Sequence, residues 1–230
     1  MKILVFDTET TGLPNSKIIN PDTLKLWPHI VQFSYVIYDI NLNDIVESND
    51  KIVNVNDIII PEESTKIHGI TKDMSNKNGI EIESVLDEFF YHLRSVDLLV
   101  GHNVSFDINM VKVELLRIIY ENKLISEKEI KKYKYNLHYL VNLKNICCTL
   151  QESIDFCEIK AINKFGKEYN KFPKLIELHE KLFNSIPNNL HNSFNDILVT
   201  LRCYMKLKYD IDLNEKCKTF MEIAKTIKLL

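Results

Sequence analysis

Two carboxylates one residue apart close the first apolar run of the chain, in Phe6-Asp7-Thr8-Glu9-Thr10-Thr11-Gly12-Leu13. Side chains alternate along a strand, so Asp7 and Glu9 project from the same face. Held together at the end of a buried strand, they repel each other and lose hydration, a cost that cations would relieve. Two hard oxygen donors at this spacing suit Mg²⁺ or Mn²⁺. A solvated strand end with two free acids is the bland alternative, and a bare Asp-x-Glu does not decide between them. Gly12 lets the backbone turn sharply after the pair.

Two further segments bring partners for these acids. Gly101-His-Asn-Val-Ser-Phe-Asp107 follows a short apolar run and places Asp107 in the first turn of a helix. The helix dipole alone favours an acid there by about 0.3–1 kcal/mol, so a purely structural reading stays open. Near the C-terminus comes His191-Asn-Ser-Phe-Asn-Asp196. Five helical residues turn through about 500°, which would set His191 and Asp196 about 140° apart if both were helical. His191 is therefore expected in the approach to the helix and Asp196 on its inward face, where the imidazole can swing over a site that Asp196 lines. His29, His92, His138 and His179 have no such companions and are expected to be structural or superficial.

The elements that must position these residues follow from periodicity. Apolar, β-branched runs at 2–6, 30–38 and 45–60 predict strands, the first buried on both faces. Residues 14–28, with Pro14, Pro21 and Pro28, predict a loop or short extended insertion. From Ile82 to Leu93 apolar residues recur at helical spacing. A short strand at 98–100 precedes a long helix over about 104–121, a surface helix over 126–142 and a strand within 145–149. Pro173 suits the first turn of a helix through Phe183. A stripe of Phe194, Ile197, Leu198, Leu201 and Met205 predicts a helix over 192–207, and a last amphipathic helix is expected over about 214–228. Strands alternating with helices imply an α/β or α+β domain with a mixed sheet covered by helices.

Composition narrows the class. With 45% hydrophobic and 27% charged residues the chain reads as globular and soluble. No apolar run approaches the roughly 18 residues of a membrane helix, and the N-terminus does not read as a signal peptide. The five cysteines have no metal-ligand spacing, so reduced thiols in a cytoplasmic setting are expected. Charge is uneven: residues 1–122 carry 10 basic and 19 acidic side chains, and residues 123–181 carry 12 basic and 8 acidic. An acidic half beside a basic one suits a metal site next to a polyanion-facing surface, although solvated helix faces would give the same count.

Taken in order and spacing, FDTETTGL (6–13), IHGIT (67–71), GHNVSFD (101–107) and HNSFND (191–196) resemble the motifs of the DnaQ-like 3′–5′ exonucleases. These form the histidine-containing (DEDDh) branch of their superfamily, which includes the proofreading epsilon subunit of bacterial DNA polymerase III. The resemblance runs from residue 2 to about 208, sets an exonuclease domain at 1–208 with 209–230 as a C-terminal helix packed on it, and implies a ribonuclease H-like fold. It implies that Asp7, Glu9, Asp107 and Asp196 hold two Mg²⁺ or Mn²⁺ ions, Asp7 bridging them, and that His191 is the general base. It also implies that Thr10 meets the terminal 3′-OH, Leu13 wedges against the last bases, and Phe106 and His68 bound the terminal nucleotide. For Leu13 and Phe106 core packing is an equal alternative, and for His68 a turn or capping role is. Ser193 and Phe194 depart from the small or aliphatic residues usual beside the histidine. The implied activity is release of nucleoside 5′-monophosphates from single-stranded or frayed DNA, alone or as a proofreading partner of a polymerase. The alternatives are an exoribonuclease or oligonucleotidase and a decayed, non-catalytic binding module, against which the retained acids and histidine argue. QESIDF (151–156) faintly resembles a sliding-clamp-binding peptide.

Overall fold

The first apolar run continues through the acids: β1 spans Lys2–Thr10, so Asp7 and Glu9 lie within the strand rather than beyond the run at 2–6. In the computed structural model, which describes residues 1–122 and 124–230, β1 is the middle of a five-stranded sheet. The other strands are β2 (Ile30–Asp39), β3 (Asp44–Ile52), β4 (Leu98–Gly101) and β5 (Ile146–Cys148), in the order β3-β2-β1-β4-β5. β2 pairs antiparallel with both β1 and β3, while β4 runs parallel to β1 and β5. This is the mixed sheet expected from the alternation of elements.

Helices cover both faces. In chain order they are α1 (Glu62–His68), α2 (Lys72–Asn78), α3 (Ile82–Leu93), α4 (Val104–Tyr120), α5 (Glu127–Val141), α6 (Thr149–Glu152), α7 (Ile154–Cys157), α8 (Leu175–Phe183), α9 (Ser193–Tyr209), α10 (Leu213–Lys216) and α11 (Lys218–Thr226). A separate hairpin, β6 (Lys160–Ile162) with β7 (Glu168–Asn170), stands between α7 and α8. Even-numbered β1 residues Leu4 and Phe6 pack with α3 and α4 in one core, and odd-numbered Ile3 and Val5 pack with α9 and α11 in the other. All four of these side chains are fully buried, each contributing about 1.5–3 kcal/mol. Phe6, Phe33 and Phe89 interlock with ring centroids 4.9–5.8 Å apart. This central strand is thus stable enough to carry unfavourable charge at its far end.

Several expected boundaries shift for local reasons. The strand expected over 45–60 stops at Ile52, because Asn54, Asn56 and Asp57 interrupt the apolar run and Asn56 is left-handed with φ 45°. The proline-rich 14–28 segment holds a 3-10 helix, Pro21–Leu26, closed by a capping box between Asn20 and Thr23. The last expected helix divides into α10 and α11 at Cys217, whose sulfur accepts from the Phe220 N–H. Leu213, Cys217, Phe220, Ala224 and Leu229 bury themselves in the α9-side core. All five cysteines are free thiols. Among the described residues no helix is long and apolar enough to cross a membrane.

Candidate active site

The alternation that sends Ile3 and Val5 toward α9 sends Asp7 and Glu9 the same way. In the strand register Asp7 lies opposite Ser34 and Glu9 opposite Gln32. Asp196, in the first turn of α9, faces them. One carboxylate oxygen from each of Asp7, Glu9 and Asp196 lies within 4.8 Å of the others. Asp107 arrives from α4 at the same end of β1. The pairing of β1 with β4 ends at Val5–Val100, so β4 does not take the Thr8 N–H. Asp107 Oδ1 accepts it at 3.0 Å and accepts the Thr8 hydroxyl at 2.8 Å.

Close packing sets where α4 and α9 begin. A Cβ on Gly101 would lie 2.9 Å from Val104 Cγ2 and 3.3 Å from the Phe6 carbonyl oxygen. Only glycine lets the chain leave β4 and start α4 that near to β1. α9 is docked by polar contacts: the buried Ser193 N–H donates to Gln32 Oε1 at 3.2 Å, and the Ser193 and Ser34 hydroxyls meet at 2.6 Å. The Ser34 hydroxyl in turn donates to Asp50 Oδ1 at 2.8 Å, and Gln32 Nε2 donates to the same oxygen at 2.7 Å. Ser193 is therefore the docking point of the helix that carries Asp196, which accounts for the departure noted in the sequence. The register partners Gln32 and Ser34 were missed from the sequence; their signal is two polar residues on one face of an otherwise apolar strand.

The acids are electrostatically unfavourable as they stand. Burial, then the charges of Asp107, Asp196 and Glu9, hold the Asp7 carboxyl well above the ordinary carboxylate range. Burial, then Asp196 and Asp107, push Glu9 to about 8. Burial also raises Asp107, against the opposing Thr8 hydrogen bonds, and raises Asp196. Among the described residues none of the four forms an ion pair with lysine or arginine. Like charges held this close without a counter-charge fit divalent cations, whose hard oxygen-ligand preference matches the donor set.

His191 sits in the approach to α9, exposed and left-handed at φ 69°. Its N–H donates to both oxygens of Asp196 at 3.3 Å. Together with the acids, His191, Leu13 and Phe106 line a cleft of about 1080 Å³, whose far wall is Leu150, Phe172 and Pro173. Leu13 is 81% exposed at its mouth, and Phe106 packs partly against the α4-side core. Thr10 and His68 are buried and do not line the cleft. Thr10 closes the turn through its hydroxyl, which donates to the Gly12 carbonyl at 2.7 Å. His68 Nδ1 accepts from the Ile70 N–H at 3.0 Å, a turn-closing contact, and burial lowers its pKa. Of the companionless histidines, His179 is fully buried against Arg202, and His29 lies 3.7 Å from Glu114.

His102, unmarked by the sequence reading, ties two walls of the cleft. Its Nδ1 meets the Thr149 hydroxyl at 3.0 Å and its Nε2 the Pro173 carbonyl at 3.1 Å. Burial lowers its pKa to about 4, so the ring is neutral and Nε2–H donates to Pro173. QESIDF spans α6 and α7, with Ser153 buried and its hydroxyl donating to the Thr149 carbonyl at 2.6 Å.

The exonuclease family RNase_T matches residues 4–204. No curated protein matches the chain. Among solved structures, exonuclease I of E. coli bound to a dT13 oligonucleotide superposes with a TM-score of 0.59 at 16% identity, over 93% of this chain and 42% of that one. Exonuclease I from Methylocaldum szegediense gives 0.58 at 16% identity, again over 93% and 42%. A 3′-exonuclease that recognises a histone mRNA stem-loop gives 0.59 at 13% identity, over 92% and 64%. The chain thus spans less than half the length of the exonuclease I proteins. These likenesses are of fold, and the family match runs through the strand of Asp7 to the helix of Asp196: the chain belongs to the RNase_T exonucleases, the DnaQ-like family that its motifs resemble.

Proposed function

We propose that this protein is a divalent-cation-dependent 3′–5′ exonuclease that removes nucleoside 5′-monophosphates from single-stranded 3′ ends of DNA. The observation that carries the reading is the convergence of Asp7, Glu9 and Asp196 oxygens within 4.8 Å, unpaired by any base among the described residues. Asp107 stands beside them with one carboxylate oxygen committed to Thr8. Asp7, Glu9, Asp107 and Asp196 would hold two Mg²⁺ or Mn²⁺ ions. Bound there, such ions stabilise the attacking and departing oxygens of an in-line phosphoryl displacement.

The chain's own residues supply the rest. His191, exposed at the cleft wall, accepts the proton that the attacking water loses as its oxygen bonds to phosphorus; the bond to the 3′-oxygen breaks, and that oxygen leaves on the shortened strand and takes a proton from solvent. Imidazole is the side chain best suited to taking up a proton in a transition state near neutral pH. Asp196 orients the histidine backbone through the His191 N–H. Leu13 and Phe106 offer apolar faces to the terminal bases, which tolerates any sequence. Exonuclease I structures holding dT13 and dA16 support a deoxyribonucleotide strand as substrate. The test is purified protein with Mn²⁺ and 5′-labelled DNA and RNA oligomers, single- and double-stranded. A metal-dependent ladder shortening from the 3′ end of single-stranded DNA is the expected result; internal cuts or no digestion would refute the reading, and faster RNA digestion would move the substrate to RNA.

A further inference from the structure

Among the described residues, the β6–β7 hairpin pairs only with itself. Isolated two-stranded hairpins are marginal in water, yet this one has a well-made turn. Asn163 Oδ1 accepts from the Phe165 N–H at 2.9 Å and the Lys167 N–H at 3.0 Å, while the Gly166 N–H donates to the Asn163 carbonyl at 2.9 Å. Gly166 takes φ 77°, open to glycine without strain. The turn thereby holds Lys164, Phe165 and Lys167 outward, Phe165 being 81% exposed. Lys164 Nζ lies 5.0 Å from the centre of the Phe165 ring. Ile162 and Tyr169 are also exposed on the strands.

Charge and continuity say what meets this arm. Residues 160–174 carry five lysines and one acid, Glu168, in a molecule whose cleft floor is four carboxylates. The hairpin runs directly into Phe172, Pro173 and Lys174, which line that cleft. His102 fixes the junction by donating to Pro173 from the loop that leads to Asp107. The chain therefore runs without a break from a basic tip bearing Phe165 into the lining of the acidic cleft. Lysines on such a surface neutralise phosphates, and exposed aromatic rings stack on unpaired bases. We propose that the β6–β7 hairpin binds the single-stranded part of the substrate strand upstream of the scissile linkage, with Phe165 stacking on a base and Lys164 and Lys167 on flanking phosphates. The proposal rests on the exonuclease reading of the cleft. The occupant is a polynucleotide and not a protein, because the one ring at the tip, Phe165, is flanked by Lys164 and Lys167 and five of the six charged residues over 160–174 are lysines.

The full chain carrying Lys164→Gln, Phe165→Ser and Lys167→Gln tests this. All three side chains are exposed, so the fold is retained. With Mn²⁺, a 20-nucleotide dT strand should show a KM raised about tenfold or more, the scale of losing one stacked base. The salt dependence of its binding should weaken by a slope of about 1.4, from two phosphate contacts on a single strand. Thymidine 5′-monophosphate p-nitrophenyl ester is too short to reach the tip, so its kcat/KM should stay within twofold. An unchanged KM on the 20-mer, or an equal loss on the ester, overturns the hairpin's role. If the wild type cuts neither substrate, the exonuclease reading fails on its own. The hairpin is then judged by anisotropy of labelled dT20 in EDTA: weaker binding by the variant supports it, and an unchanged Kd overturns it.

Discussion

The acids and the histidine of this site rest on opposite kinds of backbone. Asp7 and Glu9 lie in a strand flanked on both sides, and Asp107 and Asp196 lie in the first turns of 17-residue helices. His191 instead ends a loop in which Asn184, Asn189 and His191 all take left-handed backbone, φ 52°, 55° and 69°. That loop is held by the end of the chain. The Asn188 N–H donates to the Leu229 carbonyl at 2.7 Å, and Asn195 Nδ2 donates to the Asn189 carbonyl at 2.7 Å. The difference separates two tasks. Clustered like charges need rigid elements to oppose their repulsion; a base that must move a proton needs only orientation, which a few hydrogen bonds supply.

Breaking the rigid side should have the largest effect. Asp7→Asn removes a central donor of the acid cluster and is expected to abolish nuclease activity in Mn²⁺. The same change relieves repulsion, so the metal-free variant should melt several degrees above the wild type, at about 2–4 °C per kcal/mol for a chain of this size. Calorimetry in EDTA checks it; a lower melting point would mean that Asp7 supports the fold and is not strained within it. His191→Ala, on the loop side, should slow turnover by about 10²–10⁴-fold with no change in melting point. An unaltered single-turnover rate would remove His191 from proton transfer.

The two sides also differed in how far the sequence revealed them. The rigid elements announce themselves: non-alternating Ile3–Phe6 reads as a central strand, and the stripe of Ile197, Leu198 and Leu201 reads as a buried helix. The acids were legible because each sits at a strand or helix terminus within a motif. What holds them was not, since Ser193 with Gln32 and Ser34, and Thr8 with Asp107, are contacts across 159–161 and 99 positions of chain. Local periodicity carries no information about such partners. α1, α2 and the β6–β7 hairpin escaped for another reason. Each is short and polar, and α1 is shaped by Gly69 at φ 76°, not by an apolar stripe. Cys217 shows the limit of periodicity from the other side, since the amphipathic pattern runs on through a break made by a cap.

The loop side can be loosened without touching the imidazole. Asn195→Ala removes the donor to the Asn189 carbonyl, two residues before His191. Displacement of a catalytic group by about 1 Å costs up to about 10²-fold, and a partial shift should lower kcat about tenfold with little change in KM. The discriminating measurement is the double variant with His191→Ala. If Asn195 acts by positioning the histidine, the second change adds no further loss; independent, additive losses would show that it acts elsewhere.

The smallest effect is on stability against pH, and it returns to the rigid side. Glu9 holds its proton to about 8 in the folded chain against an ordinary 4.5. The folded state therefore binds that proton when the unfolded state has lost it, and the resulting stability fades as pH rises toward and through about 8. Half-buried His29 and His102 act in the opposite sense, both lowered to about 4, so their effect is confined below about pH 6.5, where the unfolded histidines begin to take up protons. Between pH 7 and 8 the acids dominate; toward pH 8.5 the thiols of Cys147, Cys157, Cys203 and Cys217, all raised by burial, act in the same sense as their unfolded counterparts begin to ionise. In EDTA the melting point should drop by about 2–4 °C across that window. Mn²⁺ should recover the loss at pH 8.5 by binding the ionised cluster in the folded state alone. Glu9→Gln should flatten the slope; a slope that survives the substitution would assign it to a group outside the acid cluster.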